Sequence, residues 1–167
     1  MLSLLLTLAP VTVPAGTPVA LDGVFAPAEW DDARTVPLSD GFVLHLKRHG
    51  GDLLLAVRYP APAAAGVDLF VETAEGGLLN LHASARLGER LPRGGGWSPW
   101  AWGNNRLWDS HVTMTPQAGR EFRIAGARLA RGTFRLRVAI HGNISIVWPA
   151  GTSEFNSNEG WAAIRLP

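Results

Sequence analysis

The feature that most constrains this chain is a two-residue hydrophobic period, carried by short segments that glycine, proline and asparagine break apart. In FVLHLKR, Phe42, Leu44 and Leu46 alternate with Val43, His45 and Lys47. His49-Gly50-Gly51-Asp52 reads as a turn, and DLLLAVRY returns with Leu53, Leu55, Val57 and Tyr59 on one side. GVDLFVET follows a Pro/Ala-rich link, and LLNLHASARL then opposes Asn80, His82, Ser84 and Arg86 to Leu79, Leu81, Ala83, Ala85 and Leu87. LWDSHVTM, EFRIA, TFRLRVAI, ISIVW and GWAAIRL continue the series. Side chains alternate across a strand, so each segment buries one face and wets the other. The spacing predicts about nine or ten short strands. Helix is limited to one or two short turns, at residues 27–33, where Pro27 suits a first turn, and at residues 126–132. Many short strands with so little helix predict an all-β fold, an antiparallel β-sandwich of the jelly-roll kind.

A chain of 167 residues holds about one such domain, expected over residues 18–167. The apolar run at residues 2–9 falls far short of the ~20 residues a membrane helix needs, so no transmembrane segment is expected. It has the length of a secretory h-region, with Ala15 in Val13-Pro14-Ala15 as a cleavage position, although no Lys or Arg precedes Arg34. Residues 1–15 are therefore expected to be a signal peptide, and the protein to be secreted, periplasmic or part of the cell envelope. Cysteine is absent, which removes disulfides, thiolate metal sites and Cys nucleophiles. The net charge is +1, with acidic residues concentrated in the first half and basic ones in the second. Interleaved strands let the halves neutralise each other, and no nucleic-acid partner is expected.

Four of the seven tryptophans lie in GWSPWAWGNNRLWDSH: Trp97, Trp100, Trp102 and Trp108. Their neighbours are turn formers, so the rings either build a second small core or present a surface that stacks on something flat. No G-x-S-x-G, H-E-x-x-H, G-x-x-x-x-G-K-[ST] or S-x-x-K motif is present, and a non-catalytic protein is expected. His45, His82, His111 and His141 fall on polar strand faces at separations that give no metal-ligand spacing, and they are expected to face solvent.

LDGVFAPAEWDDA, residues 21–33, places Asp22-Gly23 at a strand end and Glu29-Trp30 on a short helical turn. With the order of strands that follows, DLLLAVRY, EFRIAGARL, TFRLRVAI and GWAAIRL, it resembles the family 9 carbohydrate-binding modules and the related DOMON-type β-sandwiches. The resemblance spans roughly residues 18–166. It implies a structural, buried Trp30, and a sugar ring held between aromatic side chains with polar donors and acceptors beside it. Trp97, Trp100, Trp102, Trp108 and Trp148 are then the aromatic candidates, with Asn104, Asn105 and Arg106 as hydrogen-bonding partners. It further implies no obligatory cofactor: some members hold structural calcium, for which Asp22 or Glu29 are the nearest oxygen donors. Some domains of this fold hold haem b, for which Met114 with a histidine is the one available pair. The expected partner is a carbohydrate or glycan. The alternatives are a haem-binding electron-transfer domain and a cell-envelope protein–protein module that uses the tryptophans as an anchor.

Overall fold

A computed structural model describes residues 9–103, 107–113, 115–154 and 157–167. Its strands are β1 (Val11–Thr12), β2 (Arg34–Pro37), β3 (Val43–His49), β4 (Asp52–Ala63), β5 (Gly66–Glu72), β6 (Leu78–Ala83), β7 (Leu87–Arg90), β8 (Pro92–Arg93), β9 (Gly96–Trp97), β10 (Ala101–Trp102), β11 (Trp108–Ser110), β12 (Gln117–Ile124), β13 (Thr133–His141), β14 (Ser145–Trp148) and β15 (Ala162–Arg165). Single 3-10 turns lie at Ser39–Gly41 and Gly126–Arg128. One sheet runs β1-β15-β13-β5-β6-β7-β10, with β14 also on β13. The second runs β11-β12-β4-β3-β2, and β8 and β9 form a small separate ribbon. Pairing is antiparallel throughout except at β1, which runs parallel to β15. The fold is the expected antiparallel β-sandwich.

The inward positions are those the alternation selects. Leu44 and Leu46 of β3, Leu53, Leu55 and Val57 of β4, and Phe122 and Ile124 of β12 face Val67, Leu69 and Val71 of β5, Leu79 and Leu81 of β6, and Leu136, Val138 and Ile140 of β13. Burying each such side chain contributes about 1.5–3 kcal/mol, which makes this layer the main source of stability. Among the described residues the strands number fifteen rather than nine or ten, residues 27–33 form hydrogen-bonded turns rather than helix, and one expected strand divides. LLNLHASARL is not one strand but a hairpin, with Ser84, Ala85 and Arg86 in the turn between β6 and β7, so Ala85 and Arg86 are exposed. The stretch around Ala15 is part of the sandwich. Val13 is fully buried and donates its N–H to the Arg165 carbonyl, while Ala15 bridges to Arg48. Cleavage after Ala15 would remove β1 and this core contact.

The outer face of the five-stranded sheet is covered by residues 17–33, and two fully buried charges hold the cover down. The Glu121 carboxylate accepts N–H groups from Asp22 (3.1 Å), Gly23 (2.8 Å) and the Trp30 indole (2.9 Å). Lys47 donates to the Glu29 carbonyl (2.6 Å), Asp32 (2.8 Å) and Thr17 (3.2 Å). Partial burial of the Asp32 carboxyl acts against its charge, but Lys47 and Thr17 outweigh it and bring its pKa to about 2. Burial pushes Glu121 up, against the three donors that favour its charged form. Asp22 and Glu29 use their carboxylates on the backbone of this same cover: Asp22 accepts from Val24, and Glu29 from Ala20 and Ala26. Those oxygens are occupied as structural caps.

Trp30 is 6% exposed and packs with Leu54 and Ala56. Removing it deletes a large ring and strands a buried carboxylate without one of its donors. Trp30→Ala is expected to cost about 3–5 kcal/mol, read as a lower denaturant midpoint in chemical unfolding.

Candidate functional site

Residues 17–33 cover only the five-stranded sheet, and the outer face of the eight-stranded sheet carries other residues. Register sets its outward residues in cross-strand rungs. One rung runs Ala139, Asp68, His82, Gly88, Trp102, and the next runs Arg137, Phe70, Asn80, Arg90. The tryptophan segment folds back over these rungs. Trp100 and Trp102 stack on each other, centroids 5.4 Å apart and planes 29° from parallel, and both rings lie against His82. Gly88 permits this seating, since a Cβ there would lie 2.7 Å from the Trp102 ring and 3.2 Å from Trp100. The Arg90 guanidinium sits 4.4 Å from the Trp100 centroid and 5.3 Å from that of Trp97, with Nε donating to Asn80. Trp97 continues the row onto Phe70, which also meets Trp161 and carries Arg137 on its ring. Trp102 is 51% exposed, and Trp97 and Trp100 are half-buried.

Beside the stacked pair, the buried Asp68 carboxylate bridges two histidines. Oδ1 meets His82 Nδ1 at 2.5 Å and Oδ2 meets His141 Nε2 at 3.0 Å. The other His82 nitrogen, Nε2, lies 2.8 Å from the Ser84 hydroxyl. Burial alone would raise the Asp68 carboxyl, but the hydrogen bonds from His141 and His82 outweigh it and hold it below the ordinary value. The same contact with Asp68 raises His141 against its own burial.

The sequence candidates divide sharply. Trp97, Trp100 and Trp102 come together on this face. Trp108 does not: it is a fully buried residue of β11, stacked on Phe122, with its indole N–H donated to Glu89. Glu89 in turn is held by Arg128. A ring with no exposed surface offers nothing to a ligand, so Trp108 is a core residue. Trp148 is half-buried and packs on the main core through its place opposite Val138. Asn104, Asn105, Arg106 and Met114 lie outside the described residues. The histidines are less solvent-facing than expected. Both ring nitrogens of His45 and His111 are buried without partners among the described residues, and desolvation first, then a nearby arginine, lowers their pKa values, that of His111 to about 4. Among the described residues no group of three or more His, Asp or Glu is placed to hold a metal ion. Asp68, Arg90, Phe70 and Trp161 belong to the site and were not singled out by sequence. The signal was present for Asp68, a charge on the outward position of the otherwise apolar run at residues 67–71.

No protein-family model and no curated protein matches the chain. Among solved structures it is similar to a family 9 carbohydrate-binding module from Caldicellulosiruptor kristjanssonii in complex with cellotriose. The identity is 14%, over 95% of this chain and 93% of that one, with a TM-score of 0.61. It is also similar to a protein from Bacteroides uniformis ATCC 8492 with a provisional assignment to carbohydrate binding, at 11% identity over 95% of this chain and 100% of the other, TM-score 0.59. At such identities the likeness is one of fold, and that fold is the antiparallel sandwich of the family 9 modules. It carries nothing for the DOMON or haem side of the resemblance.

The Asp68 bridge has a pH signature. The folded chain holds the His141 proton more tightly than the unfolded chain, so this stabilisation is complete below the ordinary value of 6.5 and fades as pH rises through the folded value. Asp68 acts in the opposite sense, stabilising above 3.8 and losing that effect as pH falls through its lowered folded value. His141→Gln is therefore expected to lower Tm relative to the wild type most at about pH 5–6, the gap closing above the raised folded value. Thermal unfolding across a pH series measures it.

Proposed function

We propose that this protein is a carbohydrate-binding domain whose platform is the stacked Trp100–Trp102 pair on the outer face of the eight-stranded sheet. The observation that carries the reading is the 51% exposed Trp102 ring, seated over Gly88 and backed by Trp100 rather than buried in the sandwich. A pyranose has an apolar C–H face and a rim of hydroxyls. A flat indole matches the face, and an indole N–H can donate to the rim. His82 lies against both rings, and the Ser84 hydroxyl bonded to it and His141 across Asp68 are donors and acceptors for hydroxyl groups. The fold shared with a module seen in complex with cellotriose supports the same reading. Trp97 continues the aromatic row from the platform, separated from Trp100 by Arg90. An exported location is part of the proposal and rests on the apolar run at residues 2–9.

An exposed ring has little packing to lose, so Trp102→Ala is expected to leave stability nearly unchanged. Loss of one stacking contact of about 1 kcal/mol or more weakens binding roughly fivefold or more. Titration with cellotriose and other soluble oligosaccharides, followed by tryptophan fluorescence, reads both the wild-type response and its loss. A wild-type protein that responds to no saccharide would overturn the carbohydrate reading and leave the exposed rings as a protein contact.

A further inference from the structure

The serine, histidine and aspartate beside the platform form one hydrogen-bonded chain. Ser84 Oγ lies 2.8 Å from His82 Nε2, and His82 Nδ1 lies 2.5 Å from Asp68 Oδ1. This order gives each atom one role. With its proton on Nδ1 and donated to the carboxylate, the neutral imidazole presents Nε2 as the acceptor for the serine hydroxyl. Asp68 is 6% exposed and held on its other oxygen by His141, so the carboxylate that orients the imidazole is itself fixed in place. Exposure rises along the chain of groups, from the buried carboxylate to a partly exposed imidazole and a partly exposed serine. The Ser84 backbone is itself anchored, its carbonyl accepting from Arg120 (3.5 Å) and Thr113 (3.4 Å).

We propose that Ser84, His82 and Asp68 constitute an acyl-transfer site that hydrolyses short-chain esters, with an O-acylated sugar as the natural substrate class. Such constellations recur on unrelated folds and are recognised by geometry rather than by chain order. Here the three residues are assembled across a β-ladder. The N–H groups of Ala85 and Arg86, in the turn directly after Ser84, donate to no acceptor among the described residues, and they are the donors available to an oxyanion. A depression of ≈ 490 Å³ runs from Ala85 and Arg86, next to Ser84 in the chain, past Leu87 and Asp109 to Trp102, so it adjoins the serine turn although Ser84 and His82 do not line it. The sugar half of the proposal rests on the carbohydrate reading above, whereas the ester half does not.

The steps balance with water as the only co-reactant. Ser84 Oγ bonds to the ester carbonyl carbon as its proton passes to His82 Nε2. The carbon–oxygen bond to the alcohol then breaks, and His82 returns the proton to the leaving oxygen. Water attacks the acyl-serine, again giving its proton to His82, and the carboxylic acid leaves as the proton returns to Ser84. Ser84 and His82 are the catalytic residues, and Asp68 is a positioning residue.

The test uses the full chain with a fluorophosphonate probe, p-nitrophenyl acetate and an acetylated cello-oligosaccharide. Mass spectrometry is expected to find the phosphonyl group on Ser84. Ester turnover is expected to fall at least tenfold in Ser84→Ala, which keeps the wild-type circular dichroism, and to stay unchanged in the remote control Ser157→Ala. Asp68→Asn is expected to lower kcat with KM little altered and to change the pH profile of the rate, which loss of a merely structural contact would not do. No label on Ser84, or wild-type turnover by Ser84→Ala, overturns the proposal even where cellotriose still quenches fluorescence. Labelling and p-nitrophenyl acetate turnover without release of acetate from the acetylated oligosaccharide uphold the site and overturn its sugar substrate.

Discussion

Everything on the outer face of this protein depends on the register that the inner face enforces. Leu69, Leu81 and their neighbours must point into the sandwich, and a slip of one residue would turn them all to water. Once they are fixed, the residues between them are fixed too. Asp68 must lie opposite His82, His82 opposite Gly88, and Gly88 opposite Trp102. The outward row is thus a by-product of apolar packing, held with the rigidity of a core it does not belong to. Side chains on an exposed sheet face thereby keep hydrogen-bond distances set by the packing beneath them.

The two outer faces make a physical contrast. On the five-stranded sheet, Glu121 and Lys47 are fully buried because residues 17–33 supply their partners, half of them backbone groups and half side chains. A buried charge with all its partners in place tolerates removal of none of them, so that face is committed to structure. On the eight-stranded sheet the charges are shared differently. Asp68 is divided between two histidines, and Arg90 lies between two indoles. Each leaves a polar or aromatic edge toward solvent. The sequence segment that looks most like a loop supplies the rings, and the short, nearly side-chain-free Gly88 lets them lie flat.

The sandwich was legible because a period of two survives in single-sequence form wherever one face is buried. The hairpin inside LLNLHASARL was not, for a specific reason. A three-residue turn between Ala83 and Leu87 preserves the alternation, so parity alone cannot distinguish a turn from a continuous strand. The tryptophans show a second limit. Trp102 and Trp108 have similar local surroundings in sequence, yet one is half exposed and the other fully buried against Phe122. The difference lies in the register of β11 on β12 and in the distant Glu89 that accepts the Trp108 indole, and neither leaves a local mark. The Ser84–His82–Asp68 chain shows a third: an i, i+2 pair reads as ordinary strand polarity until the ladder brings position 68 beside it.

The parallel pairing of β1 with β15 bears on how the domain would yield to force. Val11 and Thr12 lie against Ile164 and Arg165, and Val13 binds the Arg165 carbonyl. Tension drawn outward from the two ends of the described chain would pull these parallel strands past each other lengthwise. Their hydrogen bonds would then be loaded together rather than opened one at a time like a zip. This edge lies across the sheet from β10 and its exposed tryptophan. A pull along the chain would therefore meet its first resistance at the margin farthest from the aromatic platform, and the platform's own rungs would be strained last.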